Sequence, residues 1–489
     1  MLDALSHRGP DDEGQIHLEG SWLGHTRLSI VDISGGTQPF HSPEADLWLV
    51  GNGEVYNHEE VRLTLADNDF ATDSDNEVAL HLLAERGPEA LGELEGMFAF
   101  IAADSNGFFV AARDPVGIKP LYWAEREGSV RFASEMTAFE VEWLPHVEAF
   151  PPGCYWTPQN GLERFAVAVP ESARRPPPAR TGTGAAAPTV IAATREALID
   201  SVERQMMGDV PVGVFLSGGL DSSVVAAIAA RYLDLRGERL QTFAVGTEDS
   251  PDLLAARVVA EDLGSDHHER IYTAAEAIAV LPSVVRAIEH FDPSLVRSAV
   301  PNYLLAEMTA RHVKVVLTGE GADELFAGYE YLRELDGEAA LHTELVRTLD
   351  GLHDLNLQRA DRVTMAHGLE ARVPFLDRQL IGFAMALPTA WKIPGEGEME
   401  KRLLREAFIG WVPDEVLWRD KSQFGDGSGA ASVLTDTVEA EIGELEFEAE
   451  RDLLDPPLRT REELAYYRIF AQHLPGLRAS QTVSRFATA

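Results

Sequence analysis

Residues 214–223 read VFLSGGLDSS, an apolar run that breaks into Ser217-Gly218-Gly219 and resumes as a helix-prone stretch from Leu220. Glycines let backbone N–H groups approach an anion closely, and the N-terminus of the following helix adds a favourable partial charge. Ser217, Ser222 and Ser223 supply hydroxyl donors. No lysine follows the glycines, so this is not a Walker loop. A loop without that lysine suits capture of a pyrophosphate that leaves as the bond at the α-phosphate breaks. A Gly-rich turn with a serine cap is common in α/β proteins; the full string behind an apolar strand makes phosphate capture the better reading.

The surrounding rhythm agrees. VPVGVFL (210–216), LQTFAV (240–245) and VKVVLTG (313–319) each lead from a short apolar run into a loop and a helix-prone stretch. Buried strands alternating with helices imply a doubly wound parallel sheet covered on both faces. In VVLTGEGADELFAGY (315–329) the turn carries Glu320, Asp323 and Glu324 and is flanked by Gly319 and Gly321. Carboxylates beside a phosphate site suit Mg²⁺, which wants oxygen ligands. Asp323 and Glu324 taken singly also fit a helix N-terminus.

The N-terminal part has a different texture. LWLV, MFAFIAAD, GFFVAARD and SVRFAS are short, apolar or alternating, and separated by turn residues. One helix is expected from about Ser74 to Arg86. PESARRPPPARTGTGAAAP (170–188) breaks the pattern and reads as a linker. Two domains follow, 1–169 and 189–489, the second mostly helical beyond about residue 355.

Composition bounds the function. Of 489 residues, 45% are hydrophobic and 25% charged, the profile of a globular protein. There is no apolar run of about 18 residues and no signal-peptide pattern, so a cytoplasmic, non-membrane protein is expected. A formal net charge of −39 opposes nucleic-acid binding. Only 5 of the 41 basic residues are lysine. Such a surface fits a cytoplasm of molar salt, where the Debye length is about 3 Å. Cys154 is alone, which excludes an internal disulfide.

The phosphate-loop string resembles that of the ATP pyrophosphatases, which adenylate a substrate oxygen and then displace AMP with nitrogen. The resemblance narrows over the whole chain. SGGLDSS, LTGEGADELFAGY, RADRVTMAHGLEARVPFLD and WRDKSQFGDG occur in the order of the glutamine-hydrolysing asparagine synthetases. SHRGPDDEG, LGHTRLSIVDISGGTQPF, GNGEVYNHEEVR, TDSDNEV and ARDPVGIKPLY are similar to their class II glutamine amidotransferase domain. The resemblance implies an N-terminal four-layer αββα sandwich of α+β type, two antiparallel sheets between helices, joined to a C-terminal doubly wound α/β domain.

It also implies roles. Arg27 would hold the α-carboxylate of glutamine with its planar fork, and Asp75 the α-ammonium. Asn52 and Gly53 would form the oxyanion hole, with Glu54 lining the pocket. Ser217, Gly218, Gly219, Asp221, Ser222 and Ser223 would cradle the phosphates of ATP, and Asp221 and Asp323 would hold Mg²⁺. Val245, Thr318 and Gly319 would border the nucleotide. Glu320 would take a proton from attacking ammonia. Lys421 would neutralise the transferring phosphate, and Arg372 would orient aspartate or the acyl phosphate. Expected partners are small molecules (aspartate, and glutamine or ammonia), and a homodimer is compatible with the sequence. Two alternatives stay open: the same architecture acting on another carboxylic acid, and a non-catalytic nucleotide-binding relative.

In that family the mature chain begins with a cysteine whose thiol attacks the glutamine amide while its own α-amino group acts as base. The resemblance implies that residue about 20 positions before SHRGPDDEG, yet Met1 stands five positions ahead of Ser6. Cys154, as an internal residue, has no free α-amino group to take its place. The sequence as given is therefore expected to use ammonia and not glutamine, through a gene start placed too late or a lost glutaminase.

If the surplus carboxylates lie on the surface, dilution restores their mutual repulsion. The melting temperature is expected to climb between low and molar KCl; a flat or falling curve would remove the high-salt reading.

Overall fold

A computed structural model describes residues 1–65, 68–177, 186–393, 399–420 and 431–486. Strands β1 (Asp12–Leu18) and β2 (Ser21–Arg27) form a hairpin. They are followed by β3 (Phe40–Ser42), β4 (Leu47–Val55), β5 (Gly96–Asp104) and β6 (Phe109–Arg113). Next come β7 (Tyr122–Arg126), β8 (Ser129–Ala133), β9 (Val147–Ala149), β10 (Cys154–Thr157) and β11 (Gly161–Arg164). Six strands pair in the order β11-β10-β6-β5-β4-β3, all antiparallel, and β8-β7-β9 make a separate antiparallel sheet. The central pair β4–β5 runs in register over nine residues, from Leu47 opposite Asp104 to Val55 opposite Gly96.

The helix expected near residues 74–86 spans Glu77–Arg86, ending where Gly87 takes φ +80. It buries Val78, Leu82 and Leu83 against Leu49, Val55, Phe98 and Phe100 of the six-stranded sheet. Period-2 alternation sends Ala99, Ile101, Ala111 and Phe109 to the other face, where Phe132, Phe150 and Trp123 meet them. Leu23 packs there on Val50 and Ala103. The hairpin and the three-stranded sheet thus form the second β layer. The fourth layer comes from later in the chain. Tyr122, Ala124 and Ala133 share one core with Val284, Val285, Leu295 and Val296.

The second half holds β12 (Val212–Phe215), β13 (Gln241–Gly246), β14 (Asp266–Ile271), β15 (Val315–Leu317) and β16 (Glu370–Arg372). They are parallel and ordered β14-β13-β12-β15-β16. Val214 and Leu317 face one core and Phe243 and Val316 the other, so apolar runs cover both faces. The chain winds outward from β12 to β14 and then returns to the other side of β12. The reversal lies between β12 and β15, where open α/β sheets bind ligands beyond their carboxyl ends.

Buried charge joins the two halves. The Arg362 guanidinium, 0% exposed, lies 3.0 Å from Glu135 and 3.2 Å from Glu289. Glu289 in turn accepts from the backbone N–H groups of Met136 and Thr137. Lys119 meets Glu370 at 3.0 Å. Breaking one partner of such a network leaves a charge buried without compensation. Arg362→Ala should cost about 3–5 kcal/mol and lower the melting temperature of both halves together. Unchanged melting would contradict this role.

Candidate functional site

Two hollows accompany this architecture. The first, of about 100 Å³, lies beside β2 and β4 and is lined by Arg27, Asn52, Gly53, Glu54 and Asp75 together. Arg27 closes β2, and its guanidinium donates to the carbonyls of Ile33, Val31 and Asp32 at 3.1, 3.2 and 2.6 Å. Three carbonyls of one turn therefore fix the fork. Gly53 takes φ +129, and an added Cβ would lie 1.9 Å from the Met97 carbonyl oxygen. Only glycine fits there. Its neighbours hold the strand rigidly. Gln38 both donates to the Gly51 carbonyl and accepts from the Gly51 N–H. Asn76 Nδ2 donates to the Gly53 carbonyl at 2.8 Å.

Against that rigid strand, Asn52 Nδ2 is buried and has no hydrogen-bond partner among the described residues. A held donor without an acceptor is what an oxyanion hole presents at rest. Asp75 accepts from the Val55 N–H at 2.6 Å. Burial raises its pKa above the ordinary value despite that bond. Glu54 is pushed up further by burial and by the charges of Asp75 and Glu370. His25 lines the same pocket, and burial pushes its pKa down to about 4, keeping the ring neutral. Gln38, Asn76 and His25 were not singled out in the sequence; all three sit inside the quoted motifs, which was the available signal.

The second hollow, of about 960 Å³, opens beyond β12 and β15. Ser217, Gly219, Asp221, Ser222, Val245, Thr318, Gly319, Glu320 and Asp323 all line it. The Ser217 N–H donates to Ser222 Oγ at 3.2 Å, which curls the loop onto the helix Leu220–Asp234. Gly218 takes φ +69, and a Cβ there would lie 2.5 Å from Ala255. A Cβ on Gly319 would lie 2.9 Å from that of Asp221, so the two glycine loops touch.

At their junction Lys401 Nζ lies 2.6 Å from Asp221 and 2.7 Å from Asp323, with Lys401 3% exposed. Burial alone would lower the lysine pKa, but the two carboxylates raise it above its usual value. Glu320 pairs with Arg359, which also donates to Ser298 Oγ at 2.9 Å. Arg419 reaches Asp252 at 2.9 Å and the Gly218 carbonyl at 3.3 Å. Neither Lys401 nor Arg419 was anticipated. The scarcity of lysine was the signal for Lys401, and it pointed instead to Lys421, which lies outside the described residues.

Three of the expected residues, Gly218, Ser223 and Arg372, do not line the cleft. Ser223 is fully buried within its helix and does not line the cleft, because its position on the first turn faces the core. Arg372 lies at the junction of the two halves and not on the cleft wall. It is 0% exposed, 3.0 Å from Glu370 and 3.4 Å from Glu54, and donates to the Gln205 carbonyl at 2.8 Å. Its charge is consumed by the seam between the two halves. Among the described residues no cluster of three or more His, Cys, Asp or Glu forms a metal centre. No helix among them is long and apolar enough to cross a membrane.

Comparison with known proteins gives the same two parts. Residues 1–150 match the glutamine amidotransferase domain, and residues 193–338 and 333–487 match asparagine synthase. Asparagine synthetase B [glutamine-hydrolyzing] of Escherichia coli (strain K12) is 38% identical over 504 residues, covering 98% of this chain and 88% of the relative. A glutamine-hydrolyzing asparagine synthetase of Sandersonia aurantiaca is 40% identical over 442 residues, 87% of this chain and 82% of its own. The chain therefore belongs to the glutamine-hydrolysing asparagine synthetase family, with an amidotransferase domain ahead of its synthase domain.

Proposed function

We propose that the protein makes asparagine from aspartate, ATP and a nitrogen donor, releasing AMP and pyrophosphate. The observation that carries this reading is the meeting of two glycine loops at the ends of β12 and β15, with Asp221, Lys401, Asp323 and Glu320 in one cleft. ATP would lie with its adenosine against Val245, Thr318 and Gly319 and its phosphates along Ser217, Gly219 and Ser222. Lys401 would stabilise charge as the β-carboxylate of aspartate attacks the α-phosphate and pyrophosphate departs. Ammonia then attacks the carbonyl carbon of β-aspartyl-AMP, Glu320 takes its proton, and AMP leaves with one former carboxylate oxygen.

The donor set fits Mg²⁺. Asp221 and Asp323 offer the hard oxygen donors this ion takes, usually one or two carboxylates plus substrate phosphates, while the point they share is held by the Lys401 ammonium. Bound through these carboxylates and the phosphates of ATP, the ion would neutralise the departing pyrophosphate. In the first hollow, Arg27 and Asp75 would bind the charged end of glutamine, Glu54 would line its side chain, and Asn52 with the Gly53 N–H would stabilise the tetrahedral oxyanion.

Incubation with aspartate, ATP, Mg²⁺ and ammonium should release pyrophosphate in step with asparagine; ADP as product, or release without aspartate, would refute the reading. Lys401→Ala should lower the rate about 10²–10³-fold in the same release assay, at a temperature where circular dichroism shows the variant folded. Rates within about twofold of the parent would contradict a charge role for Lys401. Binding of the glutamine α-ammonium requires ionised Asp75. Because burial raises that pKa, calorimetric glutamine affinity should fall with falling pH through a midpoint above the ordinary aspartate value of about 4. A midpoint below that value would contradict the assignment.

A further inference from the structure

The loop SHRGPDDEG is absorbed by neither set of roles, and its position is unusual. Gly9 lies directly on β2 beside Arg27, where an added Cβ would be 2.2 Å from the Thr26 carbonyl carbon. Arg8, 4% exposed, lines the amide pocket with Arg27 and Asp75. Its fork leaves that pocket for the seam, where it meets one carboxylate from each half. Nη1 lies 2.8 Å from Glu135 and 2.8 Å from Asp361, and Nη2 lies 3.0 Å from Asp361. Asp11 meets Lys314 at 2.7 Å, so the loop grips the synthase half at two points.

Asp361 belongs to the helix Asn356–Met365, and Arg359, two positions earlier, points about 200° away around the helix axis. Arg359 therefore faces the synthase cleft, where it holds Glu320 and Ser298. Ala360, Val363 and Thr364 line that cleft, whereas Met365 lines the amide pocket. Arg362 fixes the same turn to Glu135 and Glu289. One short, buried helix thus has one face in each hollow and is held on both by charge.

We propose that this helix transmits occupancy of the amide pocket to Glu320 through the ion pair between Arg8 and Asp361. A ligand with the charged groups of glutamine or glutamate borders Arg8 and changes its balance between the pocket and Asp361. Because interiors are close-packed, the helix shifts as a unit and Arg359 resets Glu320. Arg8, Asp361 and Arg359 are positioning residues in this scheme. The inference rests on the function proposed above, since Glu320 is there the acceptor of the ammonia proton.

The test follows ammonium-driven pyrophosphate release in the full chain, with L-glutamate as the pocket probe. Saturating glutamate should change the KM for ammonium about fivefold or more, a normal coupling between two sites. The KM for ATP should stay put. Arg8→Lys, which keeps charge but loses the fork, should lose the shift, and so should the apolar pair Arg8→Leu with Asp361→Leu. The double variant leaves no buried charge unpaired and keeps the test independent of simple misfolding. A folded variant that retains the shift would overturn the proposal. So would a parent whose ammonium KM stays fixed with glutamate bound by calorimetry, or glutamate that does not bind. Absence of aspartate-dependent release in the parent would instead strike the proposed function itself.

Discussion

One ammonium between two carboxylates organises the cleft. Lys401 lies within 2.7 Å of both Asp221 and Asp323, and is almost wholly buried. A buried charge is tolerated only when paired, and here the pairing spans three separate segments of chain. It requires that the loop after β12 and the loop after β15 approach to contact, which they do through Gly319 against Asp221. The doubly wound order of the sheet follows the same logic, since only strands adjacent at the reversal point can bring these loops together. The reversal of the sheet, the glycines and the charge cluster are one constraint seen at three scales.

The amide pocket rests on a different device. There a strand edge is frozen so that Asn52 can keep a donor unspent, with Gln38 and Asn76 satisfying the backbone on either side. Charges around it are raised or neutralised by burial. The two hollows are not independent modules, because the face of β7 and β8 is covered by helices of the synthase half and the seam carries Arg362, Lys119 and Arg372. Buried carboxylates are held in two ways: Glu135, Glu289 and Glu370 by cations at the seam, and Asp114 by a run of backbone N–H groups.

Local features were legible in the sequence. The apolar runs ending in glycine became β12 and β15, and period 2 in MFAFIAAD became the two-faced β5. The helix near Ser74 began three residues later because Ser74, Asp75 and Asn76 form the turn that aims Asp75. What was not legible is pairing across long stretches. Lys401 stands 180 positions from Asp221, and Arg8 stands 353 positions from Asp361. No periodicity carries such information. The partners of Arg372 were hidden for the same reason: its motif is recognisable, but its fork meets Glu370 and Glu54 at the seam.

Attack of the acceptor carboxylate on the α-phosphate, proposed for the cleft between the two glycine loops, leaves a trace in the products. The most direct measurement is oxygen transfer from aspartate labelled with ¹⁸O in its β-carboxylate, in a reaction supplied with ATP and ammonium. One labelled oxygen should appear in AMP and none in pyrophosphate. Label in inorganic phosphate, with ADP as the nucleotide product, would contradict it.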